Sequence, residues 1–162
     1  MRPKKILLLL SLLMLLVLIL TGCFGIDETK IEQNVDSKIK QFITALEDED
    51  VDSIDKALAS DFEWHLNGES IFDSEQGYVD MMKENFNNEQ EIDSIDYKNK
   101  VFDIESDSEV TVSGDWQEEG SGMDDEPDGE PYELDQKVTF ILEKIDGKWL
   151  ITKMESVDKE EN

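Results

Sequence analysis

The chain has 162 residues, with 41 acidic against 15 basic side chains, a formal charge of −26, one histidine and one cysteine. A single cysteine excludes an internal disulfide, so a folded domain here is held by its core. The acidity opposes binding to nucleic acid or to anionic headgroups, and no nucleic-acid partner is expected.

The chain begins with Arg2, Lys4 and Lys5, then runs apolar from Ile6 to Leu20, broken only by Ser11. That run is short for a bilayer span of about 20 residues. It fits the apolar middle of an export signal, roughly 7–15 residues behind a positive head. Leu20-Thr21-Gly22-Cys23 follows, and all four positions resemble the lipobox of bacterial lipoproteins. The resemblance implies cleavage after Gly22, a diacylglyceryl group on the Cys23 sulfur, and anchoring to the outer side of the cell membrane. An uncleaved signal anchor with Cys23 as a free or buried thiol is the alternative. One acyl chain holds a protein only marginally and two hold it durably, so a diacylglyceryl group meets the requirement.

Residues 1–22 form the signal peptide on this reading, and 23–30 a tether. The mature 140 residues carry 12 basic and 41 acidic side chains, a charge of −29. Leu, Ile, Val and Phe still make up about 24% of them, above the roughly 20% below which disorder is expected. One folded domain over 31–157 follows, with a charged tail at 158–162. The acidity suits a body held off the membrane, or a saline setting in which counterions screen it.

Ile31, Val35, Ile39, Phe42, Ile43 and Leu46 form one stripe of a helix over 29–47, with Asp27 or Thr29 as cap. Asp50 or Asp52 caps a second, shorter helix carrying Ile54, Ala57 and Leu58. Phe62, Trp64 and Leu66 then alternate with Glu63, His65 and Asn67, a strand ending in the turn Asn67-Gly68. Asp73 and Gln76 read as a capping box before a third helix with Tyr78, Met81, Met82 and Phe86 on its apolar face. From Ile92 onward the pattern is strand-like. Ile95, Tyr97 and Val101 share one parity and Phe102 and Ile104 the other, which predicts a bulge near Val101. Val110, Val112 and Trp116 alternate, an acidic loop spans 117–131, and Val138, Phe140 and Leu142 lead to the hairpin turn Asp146-Gly147 before Trp149 and Ile151.

Helices gathered beside an antiparallel sheet predict an α+β layer fold. The helices, with residues 61–68 (DFEWHLNG), 77–86 (GYVDMMKENF) and 138–156 (VTFILEKIDGKWLITKMES), resemble the nuclear transport factor 2-like superfamily over about 31–157. The resemblance implies a cone: N-terminal helices packed on a curved antiparallel sheet around an internal pocket. It also implies frequent dimerisation through the sheet. Apolar residues on both parities of the last hairpin, Phe140 and Leu142 against Ile141 and Leu150, fit a second covered face.

Trp64, His65, Tyr78, Met82, Tyr97 and Trp116 are the candidate pocket residues, for a small apolar ligand or a protein partner; aromatics at such spacing also build plain cores. His65, as the sole histidine, must serve any acid–base or metal site that needs one, yet it shares parity with polar Glu63 and Asn67. The family's isomerase and dehydratase members share no linear motif with this chain, so no catalytic residue is assigned. Asp124, Glu126, Asp128 and Asp135 echo the oxygen ligands of an EF-hand calcium loop, but Pro127 and Pro131 interrupt it, and a solvated hairpin tip is the alternative. No phosphate loop, Gly-x-Ser-x-Gly or His-Glu-x-x-His motif occurs, and nothing calls for a cofactor. A non-catalytic binding cone is the expected function, with a cavity isomerase or hydratase as the alternative. A pocket carboxylate or histidine of perturbed pKa would favour the enzyme.

Overall fold

The computed structural model describes residues 27–88, 90–122 and 131–159. The stretch expected as signal peptide, Cys23 and the first residues of the expected tether lie outside them, as do Asp124, Glu126 and Asp128.

Helix α1 (Glu28–Glu47) begins where Asp27 accepts a hydrogen bond from the Lys30 amide at 3.2 Å. It starts within the stretch expected as tether, because that cap fixes its first turn. Ile31, Val35, Ile39, Phe42, Ala45 and Leu46 are its buried stripe. Asp50 caps the short α2 (Val51–Asp55), whose Ile54 is fully buried. Strand β1 (Leu58–Leu66) turns through Asn67 and Gly68, both with positive φ, into β2 (Glu69–Phe72). Helix α3 (Glu75–Asn87) is capped by Ser74, not Asp73: the Ser74 hydroxyl accepts from the Gly77 amide at 3.3 Å. The predicted box lay one residue early because serine, in extended conformation, fills the same role.

Four long strands follow: β3 (Glu91–Ile104), β4 (Glu109–Ser121), β5 (Pro131–Ile145) and β6 (Lys148–Asp158). The sheet order is β2-β1-β6-β5-β4-β3. All pairings are antiparallel except β1 with β6, which is parallel, so the sheet is mixed. No hairpin links β1 to β6, and their relative direction is therefore not fixed by a turn.

The predicted bulge is present: pairing shifts between Lys98 and Val101, with Asn99 at φ 51°. It turns Val101 outward, 67% exposed, and leaves Phe102 and Ile104 half-buried. Two further irregularities, between Ile92 and Ser94 on β3 and at Thr152 on β6, which is skipped where Ile141 and Leu142 of β5 face Lys153 and Ile151, bend the sheet. The second moves the buried parity of β6 from Trp149 and Ile151 to Met154 and Ser156. Asp146 and Gly147, both with positive φ, close the last hairpin. The expected 117–131 loop is shorter than the sequence indicates, since β4 continues to Ser121 and β5 starts at Pro131. The expected tail also begins inside the fold. Asp158 ends β6 and binds Asn67 and Gln136, while Lys159 pairs with Asp135 and Asp115.

The helices cover the inner face of this sheet, giving the α+β cone. Phe140 packs edge-on against Phe42 and Tyr97, at ring distances of 6.0 and 5.4 Å, and Tyr78 meets Phe42, Phe62, Trp64 and Phe72. The Tyr97 hydroxyl lies 2.9 Å from the Val112 carbonyl and 3.1 Å from that of Val138, so its polar end is satisfied inside the core. Tyr97 crosses β4 only because Gly114 has no side chain. A Cβ there would sit 2.6 Å from the tyrosine ring and 2.7 Å from the Lys98 carbonyl. Gly114→Ala should therefore destabilise the domain by about 3 kcal/mol, at the upper end for overpacking. Denaturant unfolding measures it, and an unchanged midpoint would show that Tyr97 is not held there.

Candidate ligand cavity

Following the inner face along β4, β5 and β6 leads from apolar to polar residues at one common level. On β4 the inward sequence is Val110, Val112, Gly114, Trp116, Glu118, Gly120. On β5, read backward, it is Leu142, Phe140, Val138, Gln136, Leu134, and on β6 it is Met154, Ser156, Asp158. The apolar half meets α1. The polar half, roofed by α3, surrounds a cavity of about 810 Å³. Its walls include Trp64, Leu66, Tyr78, Met81, Met82, Trp116, Leu134 and Met154, and its polar groups are Asn85, Asn88, Gln90, Glu118, Gln136, Ser156 and Asp158. A volume of that order suits a drug-sized organic molecule.

Trp64, Tyr78, Met82 and Trp116 of the six candidate residues line this space. Tyr97 does not; its ring fills the neighbouring core. His65 does not either: strand alternation turns it away from Trp64, and its Nε2 lies 3.1 Å from Glu63 Oε2 on the other face. Asp135 sits on β5 beside the Lys159 ammonium, 2.5 Å away. Among the described residues no group of three or more His, Cys, Asp or Glu side chains is placed to hold a metal ion. On the outer face Ile141 and Leu150 are half-buried, next to a hydrogen bond between the Ser113 and Thr139 hydroxyls.

The residue that sequence reasoning missed is Glu118. It is 8% exposed, and each carboxyl oxygen accepts one hydrogen bond: Oε1 from the Tyr132 hydroxyl at 2.8 Å, Oε2 from Trp116 Nε1 at 3.0 Å. Gln90 Nε2 donates in turn to the Tyr132 hydroxyl at 3.4 Å. Tyr132 lies over Gly120, its partner across the β4–β5 pair, where an added Cβ would come within 2.8 Å of the ring. Burial pushes the Glu118 carboxyl above its ordinary range, against the two hydrogen bonds that favour the anion. Tyr78 is raised too, by its own burial and then by the charge of Glu118. Asp158 differs: Asn67 Nδ2 and Gln136 Nε2, each at 2.8 Å, hold its carboxylate below the usual range. The signal for Glu118 was the parity of β4, which continues two steps past Trp116.

No family model matches the chain, and no curated protein matches it. Solved structures do. A nuclear transport factor 2-like protein from Cytophaga hutchinsonii superposes with a TM-score of 0.67 at 15% identity, over 79% of this chain and 98% of that one. One of unknown function from Shewanella oneidensis MR-1 gives 0.60 at 18% identity, covering 78% and 98%. One from Rhodospirillum rubrum, described as of unknown function in nutrient uptake, gives 0.66 at 14%, again covering 78% and 98%. At such identities the likeness establishes the fold: a nuclear transport factor 2-like cone.

A raised carboxyl stabilises the fold below its unfolded value, ordinarily 4.5, and that stability is lost as pH rises through the folded value. Glu118→Gln cannot titrate. The melting temperature of Glu118→Gln minus that of the wild type should therefore grow as pH is raised from about 4.5 to 8. Parallel pH profiles would show that Glu118 ionises as freely folded as unfolded.

Proposed function

We propose that this protein is a bacterial lipoprotein whose cone domain binds a small organic molecule on the outer side of the cell membrane. The observation that carries the binding role is the cavity, with Trp64, Tyr78 and Trp116 as walls and a few fixed polar groups in its lining. Those polar groups are held before any ligand arrives. Trp64 Nε1 donates to Ser156 at 3.3 Å, and Glu118 and Asp158 are each braced by two neutral donors. Preorganised walls lower the cost of binding.

The anchoring rests on the residues ahead of the domain: three cations, an apolar run of export-signal length, and small residues leading to Cys23. Among the described residues no helix is long and apolar enough to cross a membrane. A mature charge of −29 would keep such a domain clear of anionic headgroups.

The second reading is a cavity enzyme of the isomerase or hydratase type, and Glu118 is the observation that favours it. A buried carboxyl of raised pKa beside an apolar space can move a proton. Binding is preferred because Trp116 and Tyr132 already occupy one acceptor site on each oxygen and fix the group in place.

Two of the three tryptophans line the cavity, so occupancy is readable directly. Titrating the domain with 4-biphenylmethanol should change tryptophan emission and raise the melting temperature. Leu134→Trp, which fills the space, should remove both effects while the domain stays folded. No response at saturating probe would end the binding reading. For the anchor, the full chain made in a bacterial host should incorporate labelled palmitate and Cys23→Ala should not. Unlabelled wild-type protein retaining Met1 would refute it.

A further inference from the structure

Resting on the small-molecule reading, we infer that the cavity selects an organic cation: an amine carried on an aromatic or aliphatic body, with Glu118 as its counterion. Three observations converge on that class. Among the described residues lining the space, none is lysine, arginine or histidine, while Glu118 and Asp158 are both acidic. An anionic ligand would enter a space whose own charges are all of its sign. An acid this deeply buried ordinarily has a cationic partner, yet both groups hydrogen-bonded to Glu118 are neutral. A carboxylate has about four lone-pair sites, and these donors occupy two. Glu118 thus keeps acceptor capacity on each oxygen for an ammonium N–H.

The walls fit the same ligand. Trp64, Tyr78 and Trp116 present aromatic faces or edges to the space, and ring faces attract cations. Met81, Met82 and Met154 supply polarizable, adaptable surface for the apolar body. Asn85, Asn88 and Gln136 add amide oxygens that can accept further N–H groups. The net charge of the chain draws cations toward it from a distance, and the cavity supplies the stereochemistry that bulk acidity lacks.

A charge-matched series tests this: 4-biphenylmethylamine, 4-biphenylmethanol and 4-biphenylacetate, titrated into the mature domain at about 0.5 M salt, where exposed charges are largely screened. The amine should bind at least about ten-fold tighter than the alcohol, the gain of one charge-assisted hydrogen bond in a buried site, and the acetate weakest. Glu118→Gln should bring amine and alcohol within about three-fold, since glutamine can accept from Trp116 and donate to Tyr132. Glu119→Gln removes the same charge from an exposed neighbour and should keep the amine preference. Leu134→Lys provides an independent check. Leu134 pairs with Glu118 across β4 and β5, so a lysine there supplies an internal counterion and should abolish the preference even if Glu118→Gln fails to fold. Equal binding of alcohol and amine by the wild type would overturn the cation assignment and leave the cavity reading standing. Failure of all three probes would overturn both.

Discussion

Phe42 joins the two halves of this molecule. It has no solvent exposure, and its ring bridges Phe140 on the sheet and Tyr78 on α3. Phe140 gathers Tyr97 and Trp116, and Tyr78 gathers Phe62, Trp64 and Phe72. The result is a continuous run of rings from β3 to β2, each pair contributing about 0.5–1.5 kcal/mol beyond area burial. Three rings within the run are also cavity wall. Trp64, Tyr78 and Trp116 present one side to the core and another to the empty space, so the site is as rigid as the packing behind it.

That arrangement explains how a strongly acidic chain supports an apolar interior. Its charges sit on the opposite strand parity, where they pair locally. Asn99, placed by the β3 bulge, donates to Asp115 at 2.7 Å, and Lys137 and Lys159 approach the same carboxylate; together they hold it well below the ordinary range. Asp36 on α1 shows the same competition. Burial would raise it, but Lys100 and Lys40 outweigh burial and keep it charged, joining helix to sheet. Glu118 and Asp158 lie on the inner parity instead, and of the two Glu118 is the buried one, with no ammonium to offset its burial.

The helices, the hairpin turns and the β3 bulge were legible because each depends on residues close in sequence. Ile31 to Leu46 repeat at helical spacing, and Asp146-Gly147 supplies the positive φ pair a tight hairpin needs. The α+β class was legible from the order of those elements, and the cone from the family resemblance they carry. What sequence did not show depends on distant partners. The parallel match of β1 with β6 joins residues more than eighty positions apart, and no local signal encodes its direction. The cavity was half legible: alternation marked Trp64 and Trp116 but also marked Tyr97, which lies in the core. Glu118 was hidden by its setting, since glutamates and glycines after Trp116 read as a loop. Only Tyr132, arriving over Gly120 from the next strand, makes that stretch an ordered wall.

The position of β6 between β1 and β5 governs how the domain can assemble. The last of the described strands occupies an interior place in the sheet, so the first hairpin has no second neighbour to join until β6 has been made. Pairings of such long sequence separation form slowly, because chain closure must precede the contacts that reward it. The seam between β1 and β6 therefore cannot form before β6 has been made, whatever the order in which the other hairpins close.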